Sequence, residues 1–406
     1  MREEKGTARR NPSFELLRMI AMFMVVMLHY LSRTDSLVRA GEAVTGVRIA
    51  GSILESLCIV AVDTYVLISG YFLVESGFKI RRLVLLLLQV LFYSLLIPAA
   101  LVLLGIPVQG TGISTAACYF LPVSTEHYWF VSSYVLMYLF SPLLSAAAHR
   151  LSKRQLQITI ALLMVFYCVI PSLSPVILSL DRYGYDAGWF CCLFLTAAYL
   201  RLYGLSGVTA EQARLRAQHE LEVGAAQALP AWRFARVKIW SLRGRNRLLV
   251  YFLCAFLTFT ATLVLSMAAT RIPALTHFST VPLHYNALFC FLGAVSLFGA
   301  FEKLLLREDR KAALIRRIAP LTFGVYLIHH HIDIRDRWIP WTRWMLGEPS
   351  GQPVVFALQA ILTVLIVYGM CLLIDLIRSM VFAFIGRYLK GSRADRLIDW
   401  IDGKFS

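Results

Sequence analysis

Long apolar runs alternate along the chain with short polar stretches rich in Lys and Arg. A helix of about 17–25 apolar residues matches the hydrocarbon core of a bilayer. On that criterion the pattern predicts ten spans, over residues 14–32, 51–73, 83–104, 129–148, 156–173, 187–203, 248–269, 284–301, 317–332 and 354–377. The ninth is short and unusually polar. The connecting segments alternate in charge. Basic residues crowd around Lys79–Arg82, around Arg150–Arg154, within 204–247, within 302–317 and from Arg378 onward, whereas 105–128 holds none. The positive-inside rule then places both termini in the cytoplasm. The expected architecture is all-α. Residues 1–384 form one transmembrane bundle with a cytoplasmic loop at 204–247, and 385–406 form a basic cytoplasmic tail. The loop reads as helix broken at Pro230, either lying along the anionic inner leaflet or solvated as a connector.

Composition strengthens this picture. Of 406 residues, 58% are hydrophobic, with a mean hydropathy of +0.67; soluble domains average about 45–50% apolar. The net charge of +16 lies mostly in the inside segments and no nucleic-acid-binding motif accompanies it, so the partner is the lipid bilayer and not a nucleic acid. The eight cysteines lie mostly in apolar runs without metal-ligand spacing, and read as small buried hydrophobes. The first span follows basic residues but lacks a small-residue cleavage site, so it reads as a retained helix.

Polar residues inside spans are costly and usually face a protein interior. In "ELLRMIAMFMVVMLHY", Glu15 and Arg18 are three residues apart and share a helix face. His29 follows Arg18 by eleven residues, which on a helix brings it within about 20° of the same direction and about 16 Å along the axis. One polar stripe results, ionic near the cytoplasm and ending in an imidazole near the outer leaflet. Two other readings stay open: Arg18 snorkels to headgroups, and His29 is interfacial.

Further polar residues recur elsewhere. Asp63 and Gly70 occupy "VDTYVLISGYFL" in the second span; the aspartate is either functional or satisfied between helices, and the glycine permits close packing. His329, His330 and His331 are consecutive in "GVYLIHHHI", so at most one or two can face a common cavity. Glu126 and His127 precede the fourth span, where Tyr128 and Trp129 suit an aromatic belt. Lys79, Arg81 and Arg82 gather at the start of the third span, where a helix N-terminus and cations together suit phosphate. No cluster has the ligand spacing of a metal site.

Taken in order, the Arg18–His29 pair, "VDTYVLISGYFL", "KIRR", "EHYWFV" and "GVYLIHH" resemble the acyltransferase 3 family of bacterial integral-membrane O-acyltransferases over essentially the whole chain. The resemblance implies transfer of an acyl group, commonly acetyl, from cytoplasmic acyl-CoA, a co-substrate, to a hydroxyl of a cell-surface glycan or its lipid-linked precursor, in the cytoplasmic membrane. It implies His29 as general base, with a covalent acyl-histidine route as the alternative; Glu126 or Asp63 would orient the imidazole, and His329 or Tyr326 would stabilise the oxyanion or position the acceptor. His127, Trp129 and Tyr326 would position the acceptor or the thioester, and Arg18, Lys79, Arg81 and Arg82 would hold the donor phosphates. The competing class is a transporter or flippase of a glycan precursor, which also uses charge within the membrane.

Overall fold

The computed structural model describes residues 10–110, 112–174, 176, 178, 181–204, 242–304, 306 and 309–404. The expected cytoplasmic loop 204–247 therefore lies largely outside the described residues. Among those residues the chain is helical and contains no strand. Its helices are α1 (Pro12–Ser32), α2 (Gly46–Cys58), α3 (Ala61–Ser76), α4 (Ile80–Leu103), α5 (Ile113–Phe120), α6 (Trp129–Arg150), α7 (Lys153–Met164), α8 (Ile170–Leu173), α9 (Ala187–Tyr203), α10 (Leu242–Arg271), α11 (Thr276–Thr280), α12 (Leu288–Glu302), α13 (Arg310–Ile318), α14 (Thr322–His329), α15 (Trp338–Leu346), α16 (Pro353–Leu389) and α17 (Arg393–Lys404).

Local chemistry sets the boundaries. Pro12 opens α1 after Asn11, whose side chain accepts from the Ser13 N–H, and Ser152 with Gln155 forms a reciprocal capping box at α7. Among the described residues, eight helical segments are long and apolar enough to cross a membrane. The second, Gly46–Ser76, breaks briefly between α2 and α3. The sixth expected span is the shorter helix Ala187–Tyr203.

The ninth differs most from expectation. Residues 317–332 do not form one spanning helix; α13 ends at Ile318, a 3₁₀ turn follows over Ala319–Leu321, and α14 is only eight residues long. Pro320 lacks the N–H that a continuous helix needs. Because α14 is buried against α1, α4 and α16, it never has to meet lipid and needs neither length nor an apolar surface. Leu, Ile and Phe side chains exposed on α4, α6, α10 and α16 form the lipid-facing surface.

Two close approaches fix the packing of the bundle, one between α3 and α9 and one between α14 and α16. A Cβ at Gly70 of α3 would meet the Phe194 Cα at 3.0 Å, so glycine lets α9 close on α3. A Cβ at Gly324 of α14 would collide with the carboxylate of Asp375 in α16. That carboxylate is fully buried. It accepts from Gln89 Nε2 at 3.1 Å and Tyr93 OH at 2.8 Å, both on α4, and pairs with Arg378 at 2.6 Å. One aspartate thus joins α4, α14 and α16.

Asp375→Ala would strand the Arg378 guanidinium and is expected to destabilise the protein by about 3 kcal/mol. Asp375→Asn, which keeps acceptors for Tyr93 and Gln89, should cost less. Thermal unfolding of the purified protein in micelles measures both, and equal midpoints for the two variants would contradict this role.

Candidate functional site

α1 carries His29 in its last turn, and α14 ends at His329. The chain turns at once, so the three consecutive histidines leave in different directions. His29 Nδ1 lies 2.8 Å from His329 Nε2. The His330 ring stacks on His29 with 4.4 Å between centres and 12° between planes. Tyr326 in turn stacks on His330 with 5.3 Å between centres. His331 points away and meets His127 edge-on at 4.6 Å. Two of the three thus face His29. His330 is the residue that sequence reasoning did not single out, and its buried Nδ1 has no hydrogen-bond partner among the described residues.

The pair assigns its own protons. His329 Nδ1 lies 2.6 Å from the Val325 carbonyl oxygen, which can only accept, so Nδ1 carries the hydrogen. In the neutral ring Nε2 is then an acceptor. His29 Nδ1 must therefore donate to it, which leaves a lone pair on His29 Nε2. His29 is only half-buried, whereas His329 is 1% exposed. The arrangement presents one basic imidazole nitrogen, oriented from behind by a buried partner.

The segment before α6 braces α14. Tyr128 OH donates to the Leu327 carbonyl at 2.8 Å. His127 Nδ1 donates to the Cys118 carbonyl at 3.0 Å, and its Nε2 accepts from the Ile332 N–H at 3.4 Å. Burial holds the His127 imidazole below its ordinary pKa range, in keeping with one donating and one accepting nitrogen. Trp129 packs on Tyr185 and Tyr285. Glu126 opens the short 3₁₀ turn there, and its side chain lies outside what is described. Asp63 is fully buried and accepts from Trp189 Nε1 at 3.0 Å, with Cys290 Sγ at 3.8 Å. It joins α3 to α9 and α12 and makes no hydrogen bond to the histidines.

At the other end of the stripe, Arg18 pairs with Glu15 at 2.8 Å. At the start of α4, Arg81 contacts Asp395 and Asp399 of α17, both at 2.7 Å. Arg82 donates to Ser76 Oγ at 2.9 Å, and Lys79 is exposed. Among the described residues no group of three His, Cys, Asp or Glu side chains is placed to hold a metal ion.

A family model described as "Acyltransferase domain" matches residues 11–376, nearly the whole chain. No curated protein and no solved structure matches it.

The tautomer assignment is open to direct measurement. Nitrogen-resolved NMR of histidine-labelled protein is expected to find His29 protonated on Nδ1 and bare on Nε2. In His329→Phe, which removes the acceptor, that preference should be lost. A wild-type His29 protonated on Nε2 would contradict the arrangement.

Proposed function

The chain belongs to the acyltransferase family, and from that premise we propose that it is a multi-pass enzyme of the bacterial cytoplasmic membrane that moves an acyl group, acetyl in the simplest case, from cytoplasmic acyl-CoA to a hydroxyl of an extracytoplasmic glycan or its lipid-linked precursor. Family membership and the membrane-crossing helices support the acyltransferase part of this reading. The observation that carries the mechanism is the His29–His329 hydrogen bond, backed by the Val325 carbonyl.

In the proposed reaction the acceptor hydroxyl attacks the thioester carbonyl while His29 Nε2 takes its proton. A tetrahedral intermediate forms and its C–S bond breaks. The ester leaves on the acceptor, and the departing coenzyme A thiolate recovers the proton from His29. His329 holds the ring and accepts from its Nδ1–H throughout, an orienting role for which the sequence points to Glu126 or Asp63, with His329 expected instead at the oxyanion or the acceptor. His330, stacked on His29, and Tyr326, stacked in turn on His330, would flank the place where the thioester carbonyl and the acceptor meet.

The donor would enter from the cytoplasmic side, its phosphates met by Lys79, Arg81 and Arg82 and its thin arm passing Arg18 toward His29. Arginine suits this task because its planar fork matches phosphate oxygens. Both termini would then face the cytoplasm, as the loop charges suggest.

His29→Ala is expected to insert and fold normally yet lose about 10²–10⁴-fold in acyl transfer. Coenzyme A release and ester formation by purified protein with acetyl-CoA and a polysaccharide acceptor provide the readout. Activity within a few fold of wild type would remove His29 from the mechanism. Failure of wild-type protein to release any coenzyme A would favour a transporter. Arg18→Ala should raise the KM for the donor more than it lowers kcat.

A further inference from the structure

The start of α4 is where the proposed function seats the donor phosphates, but acidic side chains of the chain itself already occupy it. Asp395, Asp399 and Asp402 recur on α17 at helical spacing and share one face. Asp395 and Asp399 each take the Arg81 guanidinium at 2.7 Å. Asp402 Oδ1 accepts from the Ile80 backbone N–H at 2.6 Å. Ile80 is the first residue of the 24-residue α4, and its N-cap, Lys79, makes no side-chain cap hydrogen bond. Asp402 therefore meets one of the N–H groups that a helix leaves open at its start, and all three carboxylates lie at the positive end of the helix dipole. Three carboxylates on one cation and one helix start reproduce the contacts that phosphate oxygens would make.

We propose that α17 is an autoinhibitory latch whose Asp395, Asp399 and Asp402 stand in for coenzyme A phosphates at Arg81 and the start of α4, so that donor binding must displace it. This rests on the donor reading given above. The family match ends at residue 376, so α17 lies beyond the matched region. The contact is built to open. The Arg81 side chain is 39% exposed and Asp399 65% exposed, and ion pairs so open to water are individually weak. The Gly391 N–H and then Arg81 hold the Asp395 carboxyl below the usual range, so it stays charged at neutral pH. The opposite side of α17 exposes Leu397 and Trp400, which suit the membrane–water boundary once the helix is released.

The test uses the full-length protein in nanodiscs of zwitterionic lipid, titrated with coenzyme A by calorimetry. The triple variant Asp395→Asn, Asp399→Asn, Asp402→Asn is expected to bind about three- to tenfold more tightly than wild type, the scale that a few surface ion pairs supply. Arg81→Ala should bind more weakly than the triple variant. In wild type, coenzyme A should speed hydrogen exchange over residues 393–404, a readout that needs no variant. Equal affinities for wild type and triple variant, or exchange unchanged by coenzyme A, would overturn the latch; if Arg81→Ala still weakened binding, the donor reading would survive. Coenzyme A that bound neither protein would overturn both.

Discussion

The arrangement of the histidine end of the bundle depends on one backbone carbonyl. Val325 O fixes the hydrogen of His329 on Nδ1, and His329 in turn fixes that of His29. An isolated imidazole interconverts between tautomers and offers either nitrogen. Here the choice is made by a group that can only accept. The rest of the local structure keeps that carbonyl in place: Tyr128 ties down Leu327, and Asp375 stands against Gly324.

The fold was legible in the sequence because the bilayer imposes a coarse and strong signal. Length, hydropathy and loop charge located the spans. The exception was the ninth. Its residues are screened from lipid by neighbouring helices, so the rule that reads a span from its length had no force there, and Pro320 was the visible mark of the break. Asp375 was equally visible as a charge in an apolar run three residues before Arg378. It reads as a stabilising node only once α4 and α14 are seen beside it.

The site was legible in part. Helical geometry aligned Arg18 with His29 and limited how many of the three histidines could join them. It could not say which ones, because α14 stops at His329 and the directions of His330 and His331 are set by the turn that follows. Periodicity likewise carried no information on Asp63, whose partners Trp189 and Cys290 come from distant spans. The cationic start of α4 was visible in the sequence as Lys79, Arg81 and Arg82, and in the structure Arg81 there meets carboxylates of α17. That the tail would supply those anions was hidden by its basic composition, since a face of a helix is invisible to a net charge.

Because the proton order at His29 originates in the main chain, it is indifferent to the side chain at position 325. Any residue there that preserves the path of α14 supplies the same oxygen. A survey of tolerated substitutions would rank that position as ordinary packing and miss its part in ordering those protons. An inherited change of valine to another aliphatic residue would leave the histidine relay intact.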